Sequence, residues 1–141
     1  MSETLKIPGL TILKYKETKN SVTILGDDKL IRQFSKKGSY DDLDTAIENI
    51  AIAKNFLENK KGVMMVDISG CLGTSLEARK YYSSSETGQH FYACAIVVNS
   101  AVSRVIGNFL IRINKVTIPV ELFTSQEDAI QWLKSNFIQY V

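Results

Sequence analysis

The side chains of this sequence whose types and spacing could do chemistry gather mainly between residues 69 and 82. The loop Ser69-Gly70-Cys71-Leu72-Gly73-Thr74-Ser75 ends in two hydroxyls at the expected start of a helix, where exposed backbone N–H groups favour an anion or a phosphorylated side chain. The same hydroxyls suit a plainer task. Thr74 or Ser75 would cap the helix, with Glu77 near its first turn. As a phosphate-cradling loop the stretch is poor, having two glycines and no lysine. Glu77, Arg79, Tyr81 and Tyr82 follow on a polar, aromatic helix with a thin apolar stripe, a composition suited to a protein interface as well as to partial core. Farther along, Arg104, Asn108 and Arg112 recur every four residues and so share one helix face, either solvated or anion-binding.

Other reactive residues are sparse. The single histidine, His90, stands just before a strand, and no G-x-S-x-G nucleophile motif accompanies it. Cys71, His90 and Cys94 fit no metal-ligand spacing, and the two cysteines lack the C-x-x-C pairing of redox or zinc sites. Cys94, within Ala93-Cys94-Ala95-Ile96-Val97-Val98, reads as core. No catalytic residue, metal or cofactor is therefore expected. Seventeen Lys and Arg against fifteen Asp and Glu give a net charge of +2, too weak a field to hold a phosphate backbone, which argues against nucleic acid. The hydrophobic fraction of 45% and charged fraction of 23% are those of an ordinary globular domain, and no apolar run reaches membrane-spanning length. Met1-Ser2-Glu3-Thr4 lacks the basic and apolar regions of a signal peptide, so a cytoplasmic protein with no membrane association is expected. The length, 141 residues, fits one domain spanning 1–141.

The elements that would position these residues follow from periodicity. Leu10–Tyr15 alternates apolar and polar, Lys19-Asn20-Ser21 supplies a turn, and Val22–Leu25 resumes a β-branched run, so an N-terminal hairpin is predicted, closed by Gly26-Asp27-Asp28. Lys29–Phe34 fits either a short helix or irregular chain and carries no assignment. An Asp-rich start at Asp41, Asp42 and Asp44 leads into Leu43, Ala46, Ile47, Ile50, Ala53, Phe56 and Leu57, a helix ended by Gly62. Val63–Ile68 and Phe91–Val98 are continuous apolar runs of strands covered on both faces. Between them the helix from Thr74 or Ser75 runs to about Glu86. Asn99-Ser100 would cap a helix over about 101–114, with Val102, Val105, Ile106, Phe109, Leu110 and Ile113 as its apolar set. A strand over 118–123 opens on Pro119, and a final helix from Ser125 buries Ala129, Ile130, Trp132, Leu133 and Phe137.

The order β-β-α-β-α-β-α-β-α predicts an α/β fold with a single mainly parallel sheet, to which the hairpin adds an antiparallel strand. This order, with Val66-Asp67-Ile68-Ser69 leading to the hydroxyl-bearing start at Thr74-Ser75, resembles the STAS domains of anti-sigma-factor antagonists and sulfate transporters, the SpoIIAA-like fold. The strings Glu77-Ala78-Arg79-Lys80-Tyr81-Tyr82, Ser103–Phe109 and Ile118–Thr124 are similar to those of a group of uncharacterised bacterial proteins with that fold. In STAS antagonists the loop before the second helix carries an Asp-Ser-Ser-Gly-like motif, whose serine is phosphorylated by a kinase that is also the partner. Here Gly73-Thr74-Ser75-Leu76-Glu77 lacks both the preceding aspartate and the following glycine, and the resemblance offers Thr74 or Ser75 for the role by analogy.

Two functional expectations follow. One is a non-enzymatic protein-interaction or regulatory module presenting Thr74, Ser75, Glu77, Arg79, Tyr81 and Tyr82 to a protein partner, with a homodimer through an edge strand or the second helix as a further arrangement. The other is a small-molecule or anion binder that uses the strand-end loops, with Arg79, Arg104, Asn108 and Arg112 as contacts.

Overall fold

The computed structural model describes residues 6–113 and 118–141, apart from the side chains of residues 112 and 113. Its main sheet has six strands in the order β1 (Ile12–Glu17), β2 (Ser21–Gly26), β3 (Leu30–Ser35), β5 (Gly62–Asp67), β7 (Phe91–Val97) and β8 (Val120–Phe123). Strands β3, β5, β7 and β8 are mutually parallel, and β1 and β2 run antiparallel at one side. The mainly parallel α/β architecture predicted from the sequence is therefore present.

The stretch without a predicted element is β3, the strand that joins the hairpin to the parallel sheet. Leu30-Ile31-Arg32-Gln33-Phe34 carries an arginine and a glutamine inside an otherwise apolar strand, which blurs its period, yet Leu30 to Gln33 are all buried. Gly26-Asp27-Asp28 thus turns β2 into β3 rather than ending a hairpin. Gly62 opens β5 instead of ending the first helix, which stops through left-handed Glu58 and Asn59. A second ladder, absent from the predicted order, pairs β4 (Ser39–Asp41) in parallel with β6 (Cys71–Thr74). The loop before β6 needs Gly70, because a Cβ there would lie 2.8 Å from the Ser35 carbonyl oxygen.

Among the described residues five α-helical segments surround the sheet: α1 (Leu43–Phe56), α2 (Leu76–Tyr82), α3 (Ser85–Gly88), α4 (Ala101–Ile113) and α5 (Gln126–Asn136). Each crossover from β3 to β8 steps one strand in the same direction, so with a common handedness α1, α2 and α4 fall on one face. Ile31, Met64 and Ile96 point to that face and meet Ile50, Ala53 and Phe56 of α1 and Ile106 of α4. The opposite face, with Leu30, Val63, Met65, Ala93, Ala95 and Val97, is covered by α5 through Ala129 and Leu133. Small alanines on β7 let α5 approach closely. Phe123, Trp132 and Phe137 form a ring stack beside it, with centroids 5.6 and 5.0 Å apart. Among the described residues no helix is long and apolar enough to cross a membrane.

The polar side chains of β3 find partners, although Arg32 Nε is buried without one. Arg32, 3% exposed, lies on the α5 face and meets Asp28 twice, at 3.0 and 2.7 Å, while Lys134 of α5 reaches the same carboxylate at 3.1 Å. Burial raises the Asp28 pKa, but the hydrogen bonds and charges of Arg32 and Lys134 outweigh it and hold the carboxyl below its usual value. The folded state then holds this proton less tightly than the unfolded chain, so the stabilisation is complete above about pH 3.8 and is lost as pH falls through the lower folded value. Asp28→Asn is expected to lower the unfolding free energy at neutral pH by about 3 kcal/mol, because Arg32 stays buried without its counter-ion. It should also flatten part of the acid limb of the stability curve. Denaturant titrations of both proteins at neutral and acid pH check this.

Candidate functional site

The residues singled out between Thr74 and Tyr82 lie on β6 and α2, the short crossover between β5 and β7. Ser75 is the N-cap of α2: its hydroxyl accepts from the Ala78 N–H at 3.0 Å, and its own N–H donates to the Asp41 carbonyl at 2.9 Å. Thr74, the last residue of β6, has a buried hydroxyl with no hydrogen-bond partner. Its carbonyl accepts from Arg79 Nη1 at 2.8 Å, and the Arg79 guanidinium stands 5.3 Å from the Phe109 ring centroid on α4. Glu77 is exposed in the first turn. α2 ends at Tyr82, short of Glu86, because Ser84 caps a separate turn, α3.

The two tyrosines divide the roles open to them. Tyr81 is half-buried against the α1-facing core. Tyr82 turns under the helix, where its hydroxyl donates to Asp41 Oδ2 at 2.5 Å and accepts from Asn49 Nδ2 at 3.0 Å. Asn49 Oδ1 in turn accepts from the Ser21 hydroxyl at 2.9 Å, and Asp41 Oδ1 accepts from Thr45 Oγ1. This chain of bonds ties α2 to β4, α1 and β2. Burial, then the nearby Asp41 charge, pushes the Tyr82 pKa well above its ordinary value, which keeps it a neutral phenol and a hydrogen-bond donor. Burial also raises Asp41, against the pull of its Thr45 and Tyr82 hydrogen bonds.

A cavity of about 100 Å³ lies beside this network. The sheet residues Met64, Val66, Cys94 and Ile96 floor it, Ile50 of α1 and Ile106 and Leu110 of α4 wall it, and Tyr82, Ser83 and Thr87 roof it. It exists because α2 brings little to the sheet. A crossover helix normally fills the space over its strands with large apolar side chains, whereas α2 buries Ala78 alone and spends Tyr82 on Asp41. Asp41, Asn49 and Thr74 give the cavity one polar end. Cys94 is half-buried, and desolvation pushes its thiol up to about 12; its side chain borders this space rather than packing into solid core.

The remaining candidates stand elsewhere. Arg104 and Asn108 are exposed on the outer face of α4, and the side chain of Arg112 lies outside the described residues. Arg79, Arg104 and Asn108 do not line the cavity. Sequence reasoning took Asp41 as a favourable acid near a helix start and missed its bond to Tyr82. Asp42 is the cap of α1, through a reciprocal pair with Thr45. One signal was available: Asn49 interrupts the apolar spacing of Ala46, Ile50 and Ala53, and a polar residue on a buried helix face requires a partner.

The model of the family described as "Domain of unknown function (DUF7793)" matches residues 25–136, a span that contains every residue of the cavity. The chain belongs to this family. Its fold is similar to that of an uncharacterised protein of the DUF3478 family with a SpoIIAA-like fold from Shewanella loihica PV-4, at a TM-score of 0.55 and 14% identity, over 92% of this chain and 97% of that one. The SpoIIAA-like resemblance of the sequence is thereby borne out for the fold. A protein of unknown function from Arthrobacter sp. FB24 aligns at 22% identity over 86% of this chain and 98% of that one, but at a TM-score of 0.31 it bears on nothing further. No curated protein matches the sequence.

Tyr82→Phe removes the central hydroxyl and leaves Asp41 and Asn49 each short of a partner, at an expected cost of about 1–3 kcal/mol in unfolding free energy. A raised carboxyl pKa in the folded state favours folding most below the unfolded value of 3.8, and that gain fades as pH rises through the folded value. Loss of the phenol removes a donor to the carboxylate, so the Asp41 pKa should rise further and this window should move to higher pH. Carboxyl-carbon NMR titration of Asp41 in the two proteins gives the shift directly.

Proposed function

We propose that this chain is a protein-interaction module that acts by binding rather than by catalysis, and that its partner surface is the rim formed by β6, the start of α2 and one shoulder of α4. The observation that carries this reading is the exposure of Leu72, Leu76, Val102, Val105 and Phe109, which are between 44% and 64% accessible. Single exposed apolar residues are ordinary, but these stand on elements that touch one another, since α4 packs against both β6 and α2.

The α4 shoulder follows from helix geometry. Ser103, Ile106, Gly107 and Leu110 face the protein, while Val102, Val105 and Phe109, at steps of three and four, form the next stripe round toward Arg79. Five large side chains held in water forgo roughly 25 cal/mol for each Å² that a partner could cover. Arg79, whose guanidinium stands at the Phe109 ring, and the exposed Arg104 beside Val105 bring positive charge to the apolar stripe, with Glu77 as the one acid next to Leu76 in sequence. A partner that matches both features is an acidic amphipathic segment, with Leu, Ile or Phe at helical spacing and Asp or Glu beside them. Ser75, held as a helix cap, sits at the border of this rim, so a phosphate there would replace the cap and add charge beside Leu76.

Selection of peptides from a random library on the immobilised chain is expected to enrich such acidic amphipathic sequences. Leu76→Asp combined with Val105→Asp should weaken the selected peptides by at least about tenfold, a loss of 1.4 kcal/mol in binding. Both positions are exposed, so the unfolding free energy should change by no more than about 0.5 kcal/mol at each. Undiminished binding to the double variant would remove this surface from consideration.

A further inference from the structure

The cavity between the sheet and α1, α2 and α4 is separate from the exposed rim, and the polar atoms at its end are unequally satisfied. Asp41, Asn49 and Tyr82 bond one another. Thr74 Oγ1, directly across the β4–β6 ladder from Asp41, is buried and bonded to nothing. A buried hydroxyl in that condition costs about 1–3 kcal/mol, which a structure sustains more readily when a visiting group meets it. Most of the remaining lining is apolar, with Gln33, Ser35, Ser83 and Thr87 as the polar exceptions: Met64, Val66, Cys94, Ile96, Ile106 and Leu110 offer water no strong partner, and an ordered water needs about two to four of them.

From this we propose that the cavity binds a small neutral amphiphile, a short aliphatic chain that ends in a hydroxyl or a comparable uncharged hydrogen-bonding group. The head group would meet Thr74 Oγ1, and the chain would lie over Met64, Val66 and Ile96 toward Cys94. The volume sets the size. An apolar cavity of about 150 Å³ takes up benzene, with six non-hydrogen atoms, so about 100 Å³ corresponds to roughly four, and a slender chain such as n-pentanol fits as the flexible Met64 side chain gives way. Charge sets the head group. The Asp41 carboxylate at the same end repels a carboxylate or phosphate, and an ammonium ion would have to shed its water in a largely apolar space where each Asp41 oxygen, already bonded to Thr45 or Tyr82, keeps one further lone pair to repay that cost. Entry is expected beside α2, the covering helix with the least buried apolar surface: Ala78 is buried, Tyr81 packs at the edge of the core, and Arg79 and Tyr82 are held by hydrogen bonds.

Methyl NMR titration of the full chain with n-pentanol, pentanoate and n-pentylammonium tests the assignment, with thermal unfolding in parallel. The expected result is saturable shifts of the methyl groups of Met64, Val66, Ile96, Ile106 and Leu110 with n-pentanol, accompanied by a raised unfolding temperature. Pentanoate and n-pentylammonium should bind at least about tenfold more weakly. Thr74→Val keeps the side-chain shape and removes the hydroxyl, and should weaken n-pentanol by about tenfold while the fold is retained. Cys94→Leu should fill the space and abolish the saturable shifts. If Cys94→Leu fails to fold, the Thr74→Val comparison decides. Absence of saturable shifts with n-pentanol, equal binding of pentanoate or n-pentylammonium, or equal affinity in Thr74→Val would each overturn the proposal.

Discussion

The bond from the Tyr82 hydroxyl to Asp41 is the constraint on which the arrangement of the crossover face depends. It is the point where a short helix with little apolar surface is fastened to the domain, and it links four elements through Asn49 and Ser21. A larger apolar anchor at the same position would fasten α2 by burial and would also fill the space over β5 and β7. Polar attachment fastens it without filling. The internal cavity and the thin packing of α2 are thus two results of one choice of side chain, and the exposed apolar rim follows from the same economy, because a helix that sinks little into the core leaves Leu76 and its neighbours at the surface.

The fold was legible where patterns are clean. Val63–Ile68 and Phe91–Val98 announce buried parallel strands by their unbroken apolar runs, and α1, α4 and α5 by their spacing, with Ser125 found as the cap of α5 as read. Strand β3 was not legible, since Arg32 and Gln33 mask its period. Their burial is tolerated only because Asp28 comes four residues earlier and Thr23 lies opposite on β2, and neither relation has a local signature. The β4–β6 ladder was hidden for a similar reason. Three- and four-residue strands carry too little pattern, and their pairing joins segments about 30 residues apart.

The candidate site was half legible. Residues Thr74–Tyr82 drew notice through composition, and a cap at Thr74 or Ser75 was anticipated, of which the structure has Ser75, but the role of Tyr82 depends on Asp41, which lies 41 positions away. A sequence shows that two adjacent tyrosines sit on a polar helix. It does not show which one turns inward, because on a helix with one buried alanine the apolar stripe is too narrow to fix the rotation. The missing volume beneath α2 was equally out of reach, being a property of three helices and a sheet together and of no single segment.

The direction of the crossovers has a bearing on assembly. Because every step from β3 to β8 goes the same way, the two edges of the sheet come from opposite ends of the chain and differ in kind. One edge is β1, which carries Lys14, Lys16 and Glu17 and tethers Lys14 to the end of α1. The other is β8, four residues long and entered through Pro119, whose ring lacks the N–H a neighbouring strand would seek. Neither edge offers a long, flat, uncharged row of backbone groups, and the two do not complement each other in length. The sheet is therefore guarded against end-to-end growth at both borders.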